Sequence, residues 1–256
     1  MADQANQSAQ TVPALILAAG VGRRLASINP GKPKAMLDLH GRPLLERALS
    51  ALEISGWRRA IVVTGHAAGA IDDFLARRRG TIAVSTVHNP RFADTNNIVS
   101  LLAAADHLAD GFCLLNSDIV FGTAILNSVL SHGPGVWLAI DGDEVLGAEE
   151  MKVAVDGDER LVRISKQLDP ATSIGEYIGI VKFDAPGAAT VLRSARELVR
   201  AGGEQLYYED AIDRAAAELA ARIVFTAGVP WTEIDDEIDY RRAVAVAARL
   251  DGVTQA

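Results

Sequence analysis

Several stretches of the sequence hold residues whose types and spacing can do chemistry. The first is Leu17-Ala18-Ala19-Gly20-Val21-Gly22-Arg23-Arg24-Leu25, followed by Lys32-Pro33-Lys34. A loop of small residues after an apolar run lets backbone N–H groups approach phosphate oxygens, and nearby arginine and lysine add charge that persists at neutral pH. A plain glycine turn is the alternative for Gly20-Val21-Gly22 taken alone. Two standard phosphate motifs fail here: Leu25 stands where a dinucleotide fingerprint needs its third glycine, and no Gly-Lys-Ser/Thr follows. Further on, Asn96 and Asn97 offer amide groups that can read a pyrimidine edge, with Ser100 one helical turn away; Asn96 fits a helix cap as well. Asp118 ends an apolar run, which projects its carboxylate at the carboxyl edge of a sheet, although a cap or turn role is open to it too. Asp141-Gly142-Asp143 has the Asp-x-Asp spacing with which glycosyltransferases hold a metal and a sugar nucleotide, and it also reads as a solvated turn.

The elements that must position these residues follow from hydrophobic periodicity. Residues 14–19 form a continuous apolar run ended by glycine, as in a strand buried on both faces. Pro43 opens a helical pattern with Leu44, Leu45, Ala48, Leu49 and Leu52 on one face, and residues 60–64 are the next buried strand. The alternation continues with a helix over 67–79, a strand over 82–87, a helix over 96–108, a strand over 112–116 and a helix over 123–131. From residue 136 the character changes to short strands at 136–140, 152–155, 161–164 and 177–183, which predicts an antiparallel extension. Helices return over 187–201 and 209–221, then a strand over 222–226 and a last helix over 238–250. This is α/β patterning with a doubly wound, mostly parallel sheet and a small antiparallel extension. Residues 1–11 read as a disordered polar tail and 12–252 as a single domain.

Composition agrees with a folded α/β protein. The 256 residues are 49% hydrophobic and 23% charged, which excludes a disordered or fibrous chain. A net charge of −8 disfavours a nucleic-acid surface and leaves a small anionic substrate open. No apolar run reaches the roughly 18–20 residues of a membrane helix, and the N-terminus lacks a signal-peptide layout, so a cytoplasmic protein is expected. The lone Cys113 lies in an apolar run and reads as a buried thiol. His66, His88 and His107 show no metal-ligand spacing. The C-terminal apolar helix faces suit either the monomer core or a homodimer.

Leu-Ala-Ala-Gly-x-Gly-x-Arg-Leu followed by Pro-Lys-Ala resembles the signature of the sugar-phosphate-type nucleotidyltransferases. The run 89–101, NPRFADTNNIVSL, with Asn116-Ser117-Asp118, is similar to phosphocholine and phosphonate cytidylyltransferases. Glu150-Met151-Lys152-Val153, Ile164-Ser165-Lys166, Gly175-Glu176-Tyr177-Ile178-Gly179, Tyr207-Tyr208-Glu209-Asp210 and Glu233-Ile234-Asp235 recur in that branch in the same order. Many relatives have Gly-Asp where this chain has Ser117-Asp118.

The resemblance implies a Rossmann-like, GT-A-like nucleotidyltransferase fold and a Mg²⁺-dependent transfer of CMP from CTP to a small phosphate or phosphonate, with release of pyrophosphate. The loop of Leu17, Ala18, Ala19, Gly20, Gly22 and Arg23 would wrap the triphosphate, and Arg24 and Lys34 would contact the reacting phosphates. Asp118 and Asp235 would hold the metal, a donor set that suits a hard octahedral cation. Lys152 and Lys166 would face the anionic substrate. Around an acceptor, Tyr207 and Tyr208 match an aromatic pair, Met151 stands where choline-specific relatives carry tryptophan, and Glu176, Tyr177, Glu209 and Asp210 can bind an ammonium or hydroxyl group. A sugar-1-phosphate nucleotidyltransferase using UTP, dTTP, GTP or ATP is the alternative within the family. Expected partners are the nucleotide and a small phosphorylated or phosphonate acceptor, without nucleic acid or membrane.

Overall fold

The computed structural model describes residues 12–143 and 145–252, so the expected tail at 1–11 lies outside the described residues. Its centre is a nine-stranded sheet. Strands β1 (Ala14–Ala18), β4 (Arg59–Thr64), β5 (Ala83–His88) and β6 (Gly111–Asn116) are parallel and lie in the order β6-β1-β4-β5. Because β4 lies on one side of β1 and β6 on the other, the loops leaving β1 and β6 part at the carboxyl edge. That crevice is where open α/β sheets take ligands.

The later strands extend this sheet with antiparallel pairings, as the patterning predicts. β11 (Gly175–Asp184) runs antiparallel to β6, β9 (Lys152–Val155) and β8 (Trp137–Asp141); β10 (Leu161–Ser165) pairs with β9 and β12 (Arg222–Phe225) with β8. Two small ribbons, β2 (Asp38–Leu39) with β3 (Arg42–Pro43) and β7 (Ile119–Phe121) with β13 (Trp231–Glu233), have no counterpart in the periodicity reading. Strands of two or three residues are too short to show a period.

Alternation along β1 explains the two main cores. Leu15 and Leu17 point to a layer covered by α3 (Asn97–Ala103), α5 (Ala185–Arg200) and α6 (Tyr208–Leu219); Ala14, Ile16 and Ala18 point to one covered by α1 (Leu44–Ile54), α2 (Ala68–Arg77) and α4 (Thr123–Ser131). Each fully buried Leu or Ile contributes about 1.5–3 kcal/mol of burial energy. A third, smaller core lies under the glycine loop, where Leu25, Leu37, Leu39 and Leu44 meet Ile234 and the alanines of α7 (Glu237–Leu250). It fixes the loop after β1 to the segment that carries Asp235.

Helix starts depart from periodicity where polar caps decide them. Asp184 accepts a hydrogen bond from the Gly187 N–H at 2.9 Å, so α5 begins before the apolar pattern does. The helix expected over 96–108 is α3 followed by a 3₁₀ turn at Ala105–His107. Among the described residues, no helix is long and apolar enough to cross a membrane.

Candidate active site

The loop after β1 turns at Gly22, whose φ of 63° is left-handed, and a short 3₁₀ turn drops Leu25 into the small core. A Cβ at Gly22 would meet the Lys34 Cβ at 3.2 Å, so glycine here lets the two segments approach. Lys34 opens its own 3₁₀ turn after Pro33, and the Asn29 amide pins this segment by donating to the Pro33 carbonyl at 2.9 Å.

The Lys34 ammonium bridges two carboxylates, 2.8 Å from Asp118 Oδ2 and 2.6 Å from Asp235 Oδ1. The side chain is only 12% exposed. Burial by itself would lower its pKa, but Asp118 and Asp235 outweigh that and raise it, so the group is a fixed cation. Arg24 donates to the other oxygen of Asp235 at 2.8 Å. Asp118 and Asp235 are distant in sequence, and the β7–β13 ribbon joins them: Ile119 pairs with Glu233, and the Ile234 N–H donates to the Asp118 carbonyl. Asp239 then holds the Asp235 N–H at 2.9 Å while sharing a reciprocal cap with Asp236 at the start of α7.

Glu233 joins this cluster, and sequence reasoning had assigned it no role. One oxygen from each of Asp118, Glu233 and Asp235 lies within 4.8 Å of the others. Burial, and then the charges of Asp118 and Asp235, push the Glu233 carboxyl up to about 8, with Lys34 opposing. A signal was present: in an extended Glu-Ile-Asp, residues i and i+2 share a face. An all-oxygen set around a buried Asp118 Oδ1 that lacks a hydrogen-bond partner, with an ammonium already seated between two members, fits a hard divalent cation.

The cleft over this cluster has a volume of about 360 Å³. Leu17, Ala19, Gly20, Arg24, Lys34, Asn96, Asn97, Ser100, Asp118, Met151, Lys166, Tyr177, Tyr207, Glu209 and Asp235, all named from the sequence, line it; Phe92, Thr95 and Glu233 also do. Ala18, Gly22, Arg23, Lys152, Glu176 and Tyr208 do not line it. Ala18 packs in the core beneath the sheet and Arg23 points into solvent.

Lys152, expected to face the anionic substrate, lies away from the cleft. It is 1% exposed and donates to the carbonyls of Gly147 and Glu150 at 2.7 and 3.0 Å, so it pins the 147–150 loop instead of meeting an anion. Tyr208 is buried, and its hydroxyl donates to Asn116 Oδ1 at 3.1 Å while accepting from Tyr177 at 2.9 Å. Gly179 makes that chain possible: its φ is 81°, and a Cβ there would fall 2.6 Å from the Asn116 amide nitrogen. The amides expected at a base are engaged within the protein. Asn96 Oδ1 accepts from the Asn97 N–H as the cap of α3, Asn97 Oδ1 accepts from the Tyr208 N–H, and Ser100 accepts from Asn89. At the mouth, Lys166 lies 5.7 Å from the Tyr207 ring centroid and 3.6 Å from Glu149. Asp141 is tied to the Trp231 indole and the Asp143 N–H, so the Asp-x-Asp run is a structural turn. Burial pushes the Cys113 thiol up to about 12.

A crevice at the β1/β6 divergence, floored by a glycine loop and edged by a lysine and three carboxylates, defines a nucleotidyltransferase. Residues 14–146 match the MobA-like NTP transferase domain, and the chain belongs to that family. It is similar to the CMP-5'-(3-aminopropyl)phosphonate synthase of Streptomyces rubellomurinus, 29% identical over 93% of this chain and 39% of that protein. The 2-aminoethylphosphonate cytidylyltransferase of Lancefieldella rimae is 26% identical over 86% of both. Among solved structures, the CTP:phosphocholine cytidylyltransferase of Streptococcus pneumoniae superimposes with a TM-score of 0.77 at 24% identity, covering 92% of this chain and 99% of that one. The chain thus spans well under half of the first relative and most of the other two.

Proposed function

We propose that residues 12–252 act as one catalytic unit that transfers a cytidylyl group from CTP to a small phosphonate or phosphate bearing a cationic end, releasing pyrophosphate. The observation that carries this reading is the seating of Lys34 against Asp118 and Asp235, in a cleft that the buried carboxylate of Glu209 also lines. The Lys34 cluster suits a triphosphate with its cation, and Glu209 suits an ammonium group. The relatives' names supply CTP and the aminoalkyl phosphonates.

The acceptor's phosphoryl oxygen is already anionic and needs no activating base. It forms a bond to the α-phosphorus as the α–β bridging bond breaks, and pyrophosphate leaves with that electron pair. The residues therefore position and neutralise. Backbone N–H groups of residues 19–22 lie against the phosphates, Arg24 and Lys34 steady the charge developing on the leaving group, and Lys166 at the mouth draws in the anionic acceptor. Asp118, Glu233 and Asp235 would hold Mg²⁺, which when bound neutralises phosphate charge. The test is pyrophosphate release across five nucleoside triphosphates, each with 2-aminoethylphosphonate, phosphoethanolamine, phosphocholine, inositol-1-phosphate and glucose-1-phosphate. Activity confined to CTP with a nitrogen-bearing acceptor supports the reading; activity with a sugar phosphate and another nucleotide overturns it.

A further inference from the structure

We propose that the acceptor end of the cleft is built for a primary ammonium group and against a quaternary one, with Glu209 as the residue that reads the difference. This rests on the cytidylyl-transfer reading and names its acceptor more narrowly.

A quaternary ammonium has no N–H to donate and is held by aromatic faces. Phe92 lines the cleft with its ring beside His66 and His88, and further faces are scarce. Tyr208 lies outside the cleft wall, its hydroxyl tied to Tyr177 and Asn116. Tyr177 is buried, so it presents little ring surface. Tyr207 is 39% exposed, but the Lys166 ammonium already sits 5.7 Å from its ring centroid. Met151 contributes a thioether where a further ring would complete a cage.

A primary ammonium needs acceptors, and one stands waiting. Glu209 lines the cleft yet is 4% exposed, and its Oε2 has no hydrogen-bond partner among the described residues. Leaving a carboxylate oxygen buried and unpaired is costly, and three N–H donors arriving with a positive charge would satisfy it. Burial has pushed this carboxyl up to about 7, against the pull of its own backbone N–H and of Tyr208, so a cation beside it also favours its ionised form. Its neighbour Asp210 is committed elsewhere, accepting from the Tyr207 N–H at 2.7 Å.

The test uses CTP with phosphoethanolamine, its mono-, di- and trimethylated forms, and ethyl phosphate, which lacks the nitrogen. kcat/KM is expected to fall as methyls accumulate, by about tenfold or more from phosphoethanolamine to phosphocholine. Glu209→Gln is expected to shrink the preference for phosphoethanolamine over ethyl phosphate about tenfold, chiefly through KM. Phosphocholine used as well as phosphoethanolamine, or a preference unchanged by Glu209→Gln, would overturn the assignment and leave cytidylyl transfer standing. If no acceptor supports CTP-dependent pyrophosphate release, the function reading fails first and this assignment with it. Should Glu209→Gln not fold, the methylation series on the unaltered protein decides alone.

Discussion

Lys34 concentrates the chemistry of the site in one ammonium group. It neutralises two of three clustered carboxylates, and under the proposed function its charge would serve phosphate oxygens in the nucleotide complex. Lys34→Ala and Asp118→Ala are each expected to lower turnover about 10²–10³-fold, the usual cost of removing a fixed charge stabiliser, with a folded protein by circular dichroism. Near-normal turnover in either would contradict the roles given to them. Lys34→Met should have a second effect, because it removes the buried ammonium from the cluster of Asp118, Glu233 and Asp235 and leaves only the exposed Arg24 on Asp235. Titration calorimetry of the nucleotide-free variant should show Mn²⁺ binding about tenfold tighter than in the parent. Equal or weaker binding would mean that the ammonium does not compete with a metal for these oxygens.

At the scale of elements, the β7–β13 ribbon and Gly179 arrange residues whose spacing in the chain says nothing of their proximity. Gly179→Ala places a Cβ against the Asn116 amide at a left-handed φ, which should cost about 1–3 kcal/mol and lower the melting temperature by several degrees. A variant melting with the parent would show that the Tyr177–Tyr208–Asn116 chain tolerates displacement. The glycine loop, Lys34, Asp118 and Asp235 were legible in the sequence because local patterns mark them: a buried strand emptying into glycine, and short runs that resemble a known family. Lys152 was misread because burial on β9 and bonds to two loop carbonyls depend on a fold that one residue in an apolar strand does not reveal. Glu233 went unassigned because its meeting with Asp118 is made by a three-residue ribbon too short to register as a strand.

For the whole molecule, the site depends on the small core, which joins the loop after β1 to the segment that brings Asp235 to Lys34. Stability elsewhere follows its own pH dependence. Glu53 on α1 accepts from the nearly buried Arg78 guanidinium and from the Ile82 N–H; the Arg78 bond chiefly, against burial, holds its carboxyl down to about 2. It is ionised in the folded state and titrates near 4.5 when unfolded. Its contribution is thus full above about pH 4.5 and lost as pH falls toward 2. Glu53→Gln should destabilise the neutral protein by about 1–2 kcal/mol, less than the whole shift implies because solvent still screens the pair, and should flatten acid unfolding. Identical acid transitions in parent and variant would refute this. The central claim is the transfer of a cytidylyl group, and ³¹P NMR of the protein with CTP, Mg²⁺ and 2-aminoethylphosphonate tests it most directly. Pyrophosphate should grow in step with a new phosphonate–phosphate anhydride, and neither should form with Asp118→Ala. CTP left intact, or consumed with no anhydride product, would contradict the account.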